Sequence, residues 1–137
     1  MAYGGIACAG FPNMWIVSGP QGPFANFPPV IETEINIILS CIEYSEHKNT
    51  APNSSSATDG VSKDKPIIVE VASAAEQAWS DRCDKLVEDS LFKKTSSWIF
   101  GANTKRKQST KFFFPGLKAY VDWCKEVVAD DFKDFKH

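Results

Sequence analysis

Gly10-Phe11-Pro12-Asn13-Met14-Trp15-Ile16-Val17-Ser18-Gly19-Pro20-Gln21-Gly22-Pro23-Phe24-Ala25-Asn26 organises the chain around it. Met14 to Val17 is wholly apolar and lies between turn-forming residues, which predicts a short central strand covered on both faces. Ser18 to Pro29 holds two glycines and four prolines and cannot be regular until Pro28-Pro29. Those two prolines suit the first turn of a helix, where a missing N–H costs nothing. A strand, a tight Gly-Pro turn and a helix in immediate succession let a backbone approach a large ligand closely.

Outward from this run, Met1 to Gly10 is small and glycine-rich and is expected to be an extended approach to the strand. On the other side, Val30 to about Tyr44 is expected to be a helix. Ile31, Ile35, Ile38, Leu39 and Ile42 follow helical spacing, and Ile37 and Cys41 widen the apolar face. So broad a stripe predicts burial on more than one side. Glu32 and Glu34 sit in the first turns, where acids complement the helix dipole. His47 to Asp64 is rich in Ser, Asn, Thr and Asp and reads as a surface loop.

Pro66 to Val71 reads as a short extended segment. Ser73-Ala74-Ala75-Glu76 has the capping-box pattern and opens a helix to about Leu91, with Trp79, Cys83, Leu86, Val87 and Leu91 on one face. Thr95 to Gln108 is expected to be a loop, and Lys111 to Phe114 an aromatic strand. A third helix follows Pro115-Gly116: Leu117, Tyr120, Val121, Cys124, Val127 and Val128 share one face. The tail from Asp130 to His137 is expected to fray.

The chain has 137 residues, 43% of them hydrophobic and 23% charged, with a net charge of -2. This fits one globular unit with a real core and argues against a nucleic-acid partner. The Lys105-Arg106-Lys107 cluster is short enough for a solvated loop. The four cysteines are Cys8, Cys41, Cys83 and Cys124. Their spacing fits no zinc motif, and buried, reduced thiols are expected. With only His47 and His137 present, neither a metal site nor a Ser/His/Asp or Cys/His constellation can be assembled from the pattern. No run approaches the roughly 18 apolar residues of a membrane span, and no signal-peptide pattern is seen. A soluble, cytoplasmic protein is expected.

Three places in this order resemble the C-terminal segment of Baeyer–Villiger-type (class B) flavin-dependent monooxygenases, cycloalkanone monooxygenase-like. The first is Gly10-Phe11-Pro12-Asn13 through Gly19-Pro20 to Asn26 and Ile31-Glu32. The second is Ala75-Glu76 through Ala78-Trp79. The third is Ser97-Trp98 with Gly101-Ala102-Asn103 and Lys107, continuing through Phe113, Tyr120 and Cys124. The resemblance implies a helix-rich α/β fold: a C-terminal fragment of a flavoprotein with two dinucleotide-binding domains, containing three main helices, few short strands and no complete Rossmann unit. It divides the chain into 1–46 (the last FAD-domain strand, its Gly-Pro turn and helix), 47–65 (a flexible loop) and 66–137 (a C-terminal helical segment with a control-loop-like region).

The same resemblance implies FAD and NADP as cofactors and oxygen insertion into ketones as the parent activity. It places Gly19, Pro20, Gln21, Gly22 and Asn26 at the flavin edge, with Trp98 and Lys107 toward the nicotinamide cofactor. Phe24 and Trp98 would line the substrate pocket. The chain's glycines, at 4, 5, 10, 19, 22, 60, 101 and 116, form no G-x-G-x-x-G cradle. The family's catalytic arginine has no counterpart, so no residue here is assigned a catalytic role. The expectation is a truncated or repurposed oxygenase-like chain that binds no cofactor and is not an active oxygenase by itself. Two alternatives stay open: a cofactor-free isomerase, cyclase or hydrolase acting on a hydrophobic metabolite, and a module that binds itself or a missing FAD-domain partner.

Overall fold

The computed structural model describes residues 1–50, 67–88 and 110–137. Three helices carry the fold: α1 (Phe27–Thr50), α2 (Ser73–Val87) and α3 (Leu117–Ala129). Two short strands, β1 (Glu70–Val71) and β2 (Phe135–Lys136), pair antiparallel with Val71 opposite Phe135. The result is helix-rich α/β without a Rossmann sheet among the described residues.

The core is aromatic. Tyr3, Trp79, Phe113, Tyr120, Trp123 and Phe135 are all buried. Trp79 stacks on Phe113 at 5.1 Å between ring centroids and tilts against Trp123 at 4.4 Å. Tyr3 meets Trp123 and Phe135 edge-on. Such rings bury large areas in offset and edge geometries, so a few side chains from distant parts of the sequence form one core. Residues from Tyr3 to Cys41 share it with residues from Val69 to Phe135.

Several expectations need correction. Met14 to Val17 is not a doubly covered strand. Its one pairing is the Trp15 bridge to Ala7, with Ile16 N–H donating to the Ile6 carbonyl, and Met14 and Val17 stay exposed. Asn13 and Ser18, both with φ +56°, bend the backbone at either side of the four-residue run. Met1 to Gly10 is not extended either. Gly4 and Gly5 take φ +60° and +78° and fold it into a tight loop bridged between Tyr3 and Ala7.

Helix α1 is longer than expected and buries one face only. Val30, Glu34, Ile37, Ile38, Cys41 and Ser45 are buried, while Ile35 and Leu39 are 41% and 51% exposed. Ser73 is the first residue of α2 rather than its cap. Ala72 is the N-cap, its carbonyl accepting the N–H groups of Ala75 and Glu76, with no side-chain cap bond. On α2, Trp79, Cys83 and Val87 are buried as expected but Leu86 is exposed, and Leu91 lies outside the described residues. The buried face of α3 agrees with the periodicity at Tyr120, Cys124 and Val127, while Val128 is exposed.

The tail does not fray. Phe132 and Phe135 are buried, and the Asp134 carboxylate accepts the Tyr3 hydroxyl at 2.6 Å. The Asp-Phe-Lys repeat thus delivers two aromatic rings to the core while its lysines face solvent.

Candidate functional site

The Gly-Pro turn rests on a second glycine pair. Gly5 and Gly19 pack backbone against backbone: the Gly19 N–H donates to the Gly5 carbonyl at 3.2 Å. A Cβ on Gly19 would lie 2.3 Å from the Gly5 carbonyl oxygen, and one on Gly5 would lie 2.7 Å from the Gly22 Cα. This close approach requires glycine on both sides. It joins the N-terminal loop to the turn.

From the turn the chain runs beside the aromatic segment before α3. The Gln21 N–H donates to the Lys111 carbonyl, the Phe113 N–H to the Gly22 carbonyl and the Phe24 N–H to the Phe113 carbonyl, all at 2.7–2.9 Å. The expected aromatic strand at Lys111–Phe114 is therefore a single parallel bridge, between Pro23 and Phe113. Alternation along it sends Phe113 into the core and Phe112 and Phe114 outward. There they meet Phe24 at 5.2 and 5.4 Å. Phe24 is 49% exposed, so this aromatic cluster forms the outer face of the turn.

Gln21 faces the other way. It is buried, its Nε2 donates to Ser80 Oγ at 2.9 Å, and its backbone carbonyl accepts the Trp79 indole N–H at 3.2 Å. These bonds fasten the turn to α2. Arg82 on α2 lies over the Trp79 and Phe113 rings at 5.7 and 5.8 Å and so belongs to the packing below the turn.

Read for its charge, Glu34 is not recognised as a buried residue. It lies on the α1 face set by Val30, Ile37, Ile38 and Cys41, at helical spacing from each, and that spacing was the available signal. Its side chain is fully buried. Oε2 accepts the Ser18 N–H at 2.6 Å, and Oε1 has no partner. Burial raises its carboxyl pKa, partly offset by the Ser18 N–H.

Gly19, Pro20, Gln21, Gly22 and Asn26 are thus brought into one turn, with Phe24 on its exposed side. Trp98 and Lys107 lie outside the described residues. The buried thiols of Cys41, Cys83 and Cys124 are each pushed up to about 12 by desolvation and are unsuited to nucleophilic work. The fold does bring a serine and a histidine together, though with no acid beside them among the described residues: Ser45 Oγ lies 2.7 Å from His137 Nδ1. The Ser45 hydroxyl is already donated to the Cys41 carbonyl, so the pair joins α1 to the tail and presents no activated nucleophile. Among the described residues no three His, Cys, Asp or Glu side chains converge as metal ligands, and no helix is long and apolar enough to cross a membrane.

No protein-family model matches the chain. It is 35% identical to the phenazine N-monooxygenase PhzNO1 of Lysobacter antibioticus, over 98% of this chain and 22% of that protein. Identity to the cyclohexanone 1,2-monooxygenase of Acinetobacter sp. is 36%, over 87% of this chain and 19% of that protein. Among solved structures, cyclohexanone monooxygenase from Rhodococcus sp. Phi1 bound to NADP+ superposes with a TM-score of 0.78 at 34% identity, covering 98% of this chain and 23% of that one. The chain spans about a fifth of the length of the curated relatives it matches. Sequence identity of about a third and close superposition, both extending over most of this chain, make it a homologue of one segment of the Baeyer–Villiger, cyclohexanone-type class B flavin monooxygenases.

Proposed function

We propose that this chain supplies one wall of a flavin- and NADP-dependent oxygenase site, acting on ketones or comparable hydrophobic substrates, and that it is not an oxygenase by itself. The observation that carries the reading is the outward aromatic face of Phe24, Phe112 and Phe114, on a chain homologous to a fifth of such enzymes. Exposed apolar clusters of this kind mark contact surfaces. Here the contact would be with the dinucleotide-binding remainder of the enzyme and with substrate.

The donor set limits how a flavin would be held. From Ser18 to Ala25 every backbone N–H is bound inside the chain. Pro28 and Pro29 have none, and the Val30 N–H donates to the Asn26 carbonyl. Donation from the turn to a flavin would fall to Asn26 and Phe27, both exposed. Gly19, Pro20, Gln21 and Gly22 would offer shape and carbonyl oxygens. These residues fit a wall but not a cradle, and the absence of a G-x-G-x-x-G pattern in the sequence leaves the phosphates to other residues. When bound, FAD would supply the oxygen-activating chemistry. This chain's part would be to orient and to exclude water. Trp98 and Lys107 are proposed to face the nicotinamide cofactor, on the family resemblance alone.

The test exchanges the matching segment of Acinetobacter cyclohexanone 1,2-monooxygenase for this chain. The chimera should purify with bound flavin and consume NADPH when cyclohexanone is added, whereas the isolated chain with FAD and NADPH should do neither. A folded chimera without flavin, or ketone-dependent NADPH consumption by the isolated chain, would overturn the proposal.

A further inference from the structure

We propose that Glu34 is the positioning residue of the Gly19–Gly22 turn and that it acts as an uncharged carboxylic acid, so that ionising it releases the turn.

Glu34 is on α1, yet its carboxyl sits against the turn. Oε2 accepts the Ser18 N–H at 2.6 Å, and Ser18 is held at φ +56°, a conformation a non-glycine residue keeps only when its surroundings impose it. Oε1 lies 3.1 Å from the point a Gly22 Cβ would occupy, and the Gly19 carbonyl oxygen lies 3.1 Å from that same point. Oε1 and the Gly19 carbonyl thus crowd the open side of Gly22, and Oε1 has no hydrogen-bond donor there to support a charge.

Among the described residues no cation pairs with this carboxyl, whose pKa is moved only by burial and by the Ser18 N–H. The titratable groups that sense it, Tyr120 and Cys124 of α3, are themselves raised by burial and stay neutral from pH 5 to 8, so they offer it no counter-charge. The Tyr120 hydroxyl is committed to the Gly4 carbonyl at 2.7 Å. A buried carboxylate with one hydrogen bond and no counter-charge is costly, and the group stays neutral instead. The direction of its pKa, raised by burial, agrees.

A carboxyl whose pKa is raised in the closed turn stabilises that turn fully below its ordinary pKa. The contribution declines as pH rises and is gone above the raised value. Between the two values, closing of the turn weakens about tenfold per pH unit, then levels off. Neither the lock nor its release involves flavin, so the chimera could fail while this proposal holds.

The experiment is amide hydrogen exchange on the isolated chain, read by NMR as protection factors at Ser18, Gly19 and Gly22 from pH 5 to 8. In the wild type these should fall together with rising pH, while protection at Tyr120 and Trp123 in α3 stays level. Glu34→Gln keeps an acceptor for Ser18 and cannot ionise, so its turn should stay protected throughout. Constant protection in the wild type, or the same decline in Glu34→Gln, would refute the proposal. Should that variant fail to fold, the Glu34 carboxyl 13C shift of the wild type decides. Titration above the ordinary carboxylate range supports the proposal and titration within it overturns it.

Discussion

Gly19→Ala tests the turn most directly. Gly19 is not among the residues with positive φ, so alanine meets no conformational objection there. The objection is steric. The new Cβ would lie 2.3 Å from the Gly5 carbonyl oxygen and 2.8 Å from Ile16 Cγ2. An ordinary contact needs roughly 1 Å more, and the Gly5 atom is backbone that cannot rotate away. Opening that gap breaks the Gly19 to Gly5 hydrogen bond and strains the neighbouring one from Ile16 to Ile6. Two such bonds are worth about 1 kcal/mol each, and overpacking adds about 1–3 kcal/mol. Roughly 3–5 kcal/mol is a large part of a typical stability of about 5–15 kcal/mol. At this size it corresponds to a Tm lowered on the order of 10–20 °C. Gly10→Ala is the control. Gly10 has φ +83° but no atom within 4 Å of an added Cβ, so its cost is conformational only, about 1–2 kcal/mol. Urea unfolding of both variants measures the difference. If Gly19→Ala costs no more than Gly10→Ala, the backbone contact between the two glycine pairs is wrong.

Three further outcomes follow from the packing. Tyr120→Phe should cost about 1–3 kcal/mol, because it leaves the Gly4 carbonyl buried without its donor; chemical denaturation checks this. Phe135→Ala should cost about 3–5 kcal/mol, since its ring packs on Tyr3 and Trp15; a near-neutral result would return the tail to solvent. In the native protein at pH 8, a thiol reagent should modify Cys8 first, because Cys41, Cys83 and Cys124 are buried with thiols pushed up to about 12, while in denaturant all four should react together.

Features that depend on local spacing were legible in the sequence. The periodicity of α3 located Tyr120, Cys124 and Val127, and Pro28-Pro29 marked the start of α1 to within a residue or two. The apolar spacing of the cysteines indicated burial. Errors arose where local pattern competes with tertiary context. Ser73 has a capping-box sequence, but the chain enters α2 from β1 one residue earlier, so Ala72 caps. Met14–Val17 has strand composition, yet a strand forms only where neighbours supply its bonds. Asp130–His137 looks like a solvated tail because charge dominates its composition, although Phe132 and Phe135 decide where it goes.

The sequence by itself determined the three helices, the Gly-Pro turn and the homology, because each is written in local spacing and residue order. Tertiary structure decided that Gly5 supports Gly19 and Gly22, that Gln21 faces the core and that Glu34 is buried beneath the turn. These depend on contacts between residues far apart in the chain. A glycine looks the same whether it serves a turn or a close approach, and a glutamate looks the same charged or neutral. What surrounds each one settles the matter, because sterics and desolvation belong to the packed environment and not to the residue.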